Sequence, residues 1–280
     1  MGTNRSGNHP LYYRHRLPVR IMHWINVLAF FLLLMSGLQI FNAFPHLAWG
    51  KSAYNGQPYL LSMTAVRAAD GEMRGVTEVL GHRFDTTGLF GLSQDMTSRQ
   101  SHRGFPDWAT IPGPRWLSMA RHWHFFFAWV FVLNGLMYLL WSLFSGHLIR
   151  DLFPDGGQLR GIGRSILDHI RLRHPKGEEA KRYNVLQKFA YLSVIFVWLP
   201  LIIVMGWAMS PNLDSVIPGW VDVVGGRQSA RTLHFIAAWA VVGFVLIHLF
   251  QVAVTGPWNN LRSMITGRYR VPEENIDAEQ

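Results

Sequence analysis

Four of the chain's 13 histidines, His23, His124, His234 and His248, stand inside long apolar runs. An ionisable side chain is costly in such a setting and is a functional hypothesis by default. Imidazole binds metals and carries protons, and the chain has no cysteine to share that work. The absence of thiol excludes disulfides, thiolate zinc sites, iron–sulfur clusters and haem attached through C-x-x-C-H. Metal chemistry must therefore use His, the 11 Met or carboxylates.

These positions acquire meaning from the elements that carry them. At 280 residues the chain has room for one large domain or two small ones. Charged residues are 15% and aromatic residues 14%, yet mean hydropathy is only +0.11, so the apolar content is concentrated in a few runs. Four segments can cross a bilayer, which takes about 20 apolar residues. They cover about 21–41, 116–144, 189–209 and 233–255, with Pro200 expected to kink the third and Gly256-Pro257 to stop the fourth. No small-residue cleavage site follows the first run, so it reads as a retained span and not a signal peptide.

The net charge of +9 would suggest nucleic acid in a soluble chain. Here the basic residues flank apolar runs, and no nucleic-acid partner is expected. Nine Lys or Arg lie in the connector 145–188, four precede the first span and three follow the fourth, 16 of the 26 in all. The 74-residue loop 42–115 holds seven. Short basic segments decide orientation, which predicts a multi-pass plasma (inner) membrane protein with both termini cytoplasmic and the long loop extracytoplasmic. In the connector, Ile162, Ile166 and Ile170 space an amphipathic helix over Gly161 to Arg173, expected on the inner membrane surface. Residues 257–280 form a cytoplasmic tail whose acidic end, Glu273 to Gln280, is expected to fray.

Depth now assigns partners. His234 and His248 are fourteen residues apart on the fourth span, within about 40° of one face and roughly 21 Å along it. The fourth span enters from outside, so His234 is outer and His248 inner. His23 is inner on the first span, and His124 or His122 outer on the second. His122 points about 200° away from His124 and reads as a polar interfacial residue. The depth-matched pairs are His23 with His248 and His124 with His234.

Two bis-histidine sites in a four-helix bundle describe two b-type haems, each a flat macrocycle with an axial imidazole on either side. Gly37 and Gly243 are candidates for clearing space at the ring edge, though small residues also serve close helix packing. Arg20, Arg121 and Arg231 each precede one of these histidines by three residues, one turn toward the surface where propionates would emerge. Arginine at span ends also serves as an anchor. Two other readings stay open, a His-lined transition-metal transporter and a cofactor-free membrane anchor of a redox complex. A metal path or proton relay usually adds carboxylates, and the four spans hold no Asp or Glu.

The segments Pro18-Val-Arg-Ile-Met-His23-Trp24 and Arg121-His-Trp-His124-Phe125, with the His234/His248 pair, resemble the prokaryotic cytochrome b561-like family. These are the di-haem membrane subunits of nickel–iron hydrogenases and formate dehydrogenases. Gly81-His-Arg-Phe-Asp-Thr-Thr-Gly88 and Trp123 to Trp129 look most like the thiosulfate reductase cytochrome b subunits. The resemblance implies that His23, His124, His234 and His248 are axial ligands to two haems b. It also implies electron exchange between the quinone pool and an extracytoplasmic redox subunit, with a molybdopterin oxidoreductase of sulfur-compound metabolism as the expected partner. A quinone site near the inner haem is implied, with Tyr13, His15, Asn26 and Lys188 as candidates. The pattern departs at Tyr138, where members often carry Arg, and in a much longer outer loop.

The expected fold is therefore all-α: an integral-membrane four-helix bundle in one domain, 1–280, binding two haems b. The long loop, rich in Gly and aromatics such as Phe84, Phe105 and Trp108, is expected to be partly ordered as a cap and docking face. A headgroup collar is the competing reading of those aromatics.

Overall fold

The computed structural model describes residues 11–53, 56, 58–170 and 184–270. Four helices are long and apolar enough to cross a membrane: Leu17–Phe41, Leu117–Phe144, Val185–Ala208 and Arg227–Val254. Many of their large apolar side chains face outward. Leu133, Leu140, Leu246 and Ile247 are all more than half exposed, as helices bathed in lipid require. The third helix starts on a capping box, in which Asn184 accepts from the Leu186 amide and Gln187 reaches back to the Asn184 amide. Its ladder widens into a π turn over Val194–Trp198, just before Pro200. Proline lacks the amide that would close the preceding turn, and one wider turn absorbs the mismatch.

The chain divides into two compact units. Unit one holds residues 1–24, 135–198 and 240–280. In it, the strand Leu11–Tyr13 pairs antiparallel with Arg268–Arg270. Between the second and third spans lie a π turn, Leu148–Leu152, and the short helices Gly156–Arg160 and Ile162–Ile170. Ile166 and Leu167 are exposed on the last of these. The remainder of the expected amphipathic helix, Arg171 to Arg173, and the acidic tail Glu273 to Gln280 lie outside the described residues.

Unit two holds residues 25–134 and 199–239. Here the all-α expectation needs correction. The long loop contains a four-stranded antiparallel sheet in the order His46–Leu47, Leu61–Arg67, Met73–Val79, His82–Asp85, and a second hairpin of Gly91–Gln94 with Gln100–Arg103. The cause is local. Leu61 to Ala65 alternates apolar and polar residues with the period of a strand. Leu80 and Gly81 take φ of 49° and 84°, forming the tight two-residue turn between Val79 and His82.

The sheet is fastened to the membrane helices. Phe41, Leu47, Met63 and Phe105 form a buried cluster with Phe90 and Phe235 against it. Buried Arg103 ion-pairs with Asp107 and donates to Gln39 Oε1 (2.5 Å), Thr110 Oγ1 (2.9 Å) and the Gly113 carbonyl (3.0 Å). Gln39 in turn donates to the Pro114 carbonyl at 2.8 Å.

Candidate functional site

Two histidine pairs form, each inside one unit. In unit one, His23 of the first span and His248 of the fourth have ring centres 6.4 Å apart and planes at 67°. In unit two, His124 of the second span and His234 of the fourth are 6.2 Å apart at 64°. Two imidazoles bonded nitrogen to nitrogen would bring their centres to about 5 Å. A metal in line between two imidazole nitrogens, with bonds of about 2 Å and ring centres roughly 1.1–1.2 Å behind them, sets the centres about 6.3 Å apart. Both pairs have the second spacing.

The pair in unit two is also oriented. His124 Nδ1 lies 3.2 Å from the Leu33 carbonyl and 3.1 Å from Ser36 Oγ, and His234 Nδ1 lies 2.8 Å from the Ile202 carbonyl. A carbonyl only accepts, so each Nδ1 donates and each Nε2 is left as a bare lone pair. Ser36 gives its own proton to the Leu32 carbonyl at 2.5 Å, so it too accepts from His124. Backbone carbonyls that fix the tautomer in this way are the usual support of metal-ligating histidine.

Glycines seat both rings. A Cβ on Gly37 would stand 3.2 Å from His124 Cε1, and one on Gly206 would stand 3.3 Å from His234 Cε1. Gly37 therefore seats an imidazole, at a position where the sequence predicts space for a macrocycle edge. Gly243, the other glycine expected there, faces open space, as does Gly135. Gly206 and Ser36 were missed; small residues inside apolar runs were the signal available. In unit one, Phe244 stacks on His248 (6.1 Å, 15°) and Trp24 meets His23 edge-on (5.4 Å). Neither the His23 nor the His248 side chain has a hydrogen bond among the described residues.

The three arginines go to different places. Arg20 donates to the Ile265 carbonyl, and its Nε is buried without an acceptor among the described residues. Arg231 donates to the Phe44 and His46 carbonyls and lies over the Phe41 and Phe44 rings. Arg121 and His122 are exposed. Of the quinone candidates, Asn26 accepts from Asn134 (2.7 Å) and Tyr13 is exposed. Lys188 is buried and donates to the Phe153 carbonyl at 3.1 Å. Burial, with Arg14 second, pushes the His15 imidazole down to about 4.

The donor set fits a b-type haem. Each site offers two imidazoles at that spacing, and among the described residues no three His, Cys, Asp or Glu side chains converge as a metal cage would need. A haem would bring the remaining ligands in its own macrocycle.

A family model for prokaryotic cytochrome b561 matches residues 14–267. The chain is 28% identical over 259 residues, 92% of its length and 98% of the relative's, to a putative protein-methionine-sulfoxide reductase subunit, YedZ1, of Azospira oryzae. It is 22% identical over 276 residues, 94% of this chain and 87% of the relative, to a probable Ni/Fe-hydrogenase B-type cytochrome subunit of Bradyrhizobium diazoefficiens. The same-named subunit of Cupriavidus necator is 24% identical over 157 residues, 51% of this chain and 64% of that protein. No solved structure matches the chain. The chain belongs to the prokaryotic cytochrome b561 family and is a membrane b-type cytochrome of electron transfer.

Proposed function

We propose that this cytochrome holds two haems b, one between His23 and His248 and one between His124 and His234, and carries electrons between quinone and an extracytoplasmic oxidoreductase subunit. The observation that carries the reading is the separation of the paired rings, 6.4 and 6.2 Å, which suits a metal and is too long for a hydrogen bond between them. A haem held by these histidines would supply one-electron redox chemistry. The chain's own residues do the rest. Leu33, Ser36 and Ile202 hold Nδ1 of the outer rings, Gly37 and Gly206 seat them, and the buried Nε of Arg20 is a donor left for an anionic edge. Exposed Arg121 is a second such donor, one turn ahead of His124.

Lys188 is our choice for the quinone end: it is buried with one carbonyl partner among the described residues, leaving donors for a quinone oxygen. We place both termini on the cytoplasmic side of the plasma membrane, by the basic-segment argument. The partner would dock on the β-sheet of residues 42–115. A relative named as a methionine-sulfoxide reductase subunit supports a partner acting on oxidised sulfur, and a molybdopterin enzyme fits that chemistry. A dithionite-reduced minus oxidised spectrum with a pyridine haemochrome assay tests the reading. Two haems per chain are expected. A protein that retains zinc or copper and no haem would turn the case to metal transport, and one with neither to an anchor.

A further inference from the structure

The helix Pro257–Thr266 is amphipathic in an inverted sense. Its polar Ser263 is 1% exposed, while Trp258, Leu261 and Ile265 are 83%, 40% and 55% exposed. These three fall within about 60° of one another on a helix, so they form one stripe. Only Thr255 and Gly256 separate this helix from Val254, the end of the fourth span. The exposed apolar surface of that span, including Ile247 and Phe250, ends just before the stripe begins. Arg268 and Arg270 follow, both exposed.

The far end of the helix is held by residues on either side of His23. Arg20 donates to the Ile265 carbonyl, and Trp24 Nε1 donates to the Met264 carbonyl at 3.2 Å. Gly267 closes the helix at φ 83°, where a Cβ would stand 2.9 Å from both Arg20 Nη1 and the His15 carbonyl. The start of the first span and the end of this helix are thus one fastening.

We propose that Pro257–Thr266 lies in the headgroup layer of the bilayer, with Trp258, Leu261 and Ile265 in the acyl boundary and Arg268 and Arg270 on anionic headgroups, and that this docking steadies His23 through Arg20 and Trp24. An apolar stripe that begins just after a membrane span and is followed by arginines has the chemistry of an interfacial helix. Trp at that level is a favoured anchor. The link to His23 rests on the proposed haem site; the docking does not.

The chain's lack of cysteine makes the test clean. Trp258→Cys, labelled with an environment-sensitive fluorophore, is placed in lipid nanodiscs with and without anionic lipid. Nitroxide lipids labelled near the headgroup should quench it several-fold more than a water-soluble quencher does, and more strongly with anionic lipid. A label reached mainly from water, or shielded from both quenchers by protein, overturns the docking. Leu261→Glu with Ile265→Glu should shift or remove the spectral component assigned to the His23/His248 pair and spare the other. Trp24→Phe, which removes one hydrogen bond, should give a smaller shift of the same component. Unchanged potentials in both variants overturn the link. A wild-type protein without haem would instead end the cofactor reading, while the label still decides the docking.

Discussion

Gly206 lies against the ring of His234: a Cβ built there would stand 3.3 Å from Cε1 and 3.5 Å from Nδ1 of the imidazole. The ring is also held by the Ile202 carbonyl at 2.8 Å, so it cannot retreat without losing that bond. Gly206→Ala should therefore be tolerated with a shifted midpoint potential. Gly206→Val should lose one haem component and keep the other. Potentiometric titration of the two variants checks this, and Gly37→Val, against His124, should lose the same component.

The ring planes in the two pairs are crossed at 67° and 64°. Axial imidazoles near perpendicular leave the iron's two upper t2g orbitals nearly degenerate. Low-temperature EPR of the oxidised protein should then show strongly anisotropic low-spin signals. Rhombic spectra typical of parallel rings would contradict the geometry of both sites.

Much of this arrangement was legible in the sequence, for physical reasons. Apolar runs of bilayer length and histidines at membrane depth are visible in one dimension, and fourteen residues on a helix fix a common face for His234 and His248. The third helix begins at Val185, earlier than its apolar run, because the capping box at Asn184 starts it ahead of the lipid-like residues. The Gly and aromatic content of the long loop implies order without specifying a sheet, and only Leu61 to Ala65 alternates as a strand does. Arg20 meets Ile265 across 245 residues, and Gly206 meets a ring on another helix. No spacing rule reaches such contacts.

Arg103 is one of the ties between the loop and the first span, and its side chain is 1% exposed. Arg103→Ala would leave the Asp107 carboxylate buried without its partner, a class of change that costs about 3–5 kcal/mol. Limited proteolysis should cut residues 42–115 far faster in the variant. Unaltered protection would mean that the hydrophobic cluster around Phe105 holds the loop without it.

His15 gives the protein an acid sensitivity. Its imidazole is pushed down to about 4 when folded, against an ordinary value of about 6.5. Between these values the unfolded chain binds the extra proton, so stability is full above about pH 6.5 and falls as pH drops through that window. His15→Gln should flatten the acid side of a melting-temperature profile. An unchanged slope would assign the loss to other groups.

The pairing of ligands is the centre of the account, and redox-resolved spectra of four single variants test it most directly. His23→Ala and His248→Ala should each remove the same spectral and potentiometric component, while His124→Ala and His234→Ala should each remove the other. His122→Ala, at an exposed position, should retain both. If His23→Ala and His234→Ala instead remove one shared component, the proposed ligand sets are wrong.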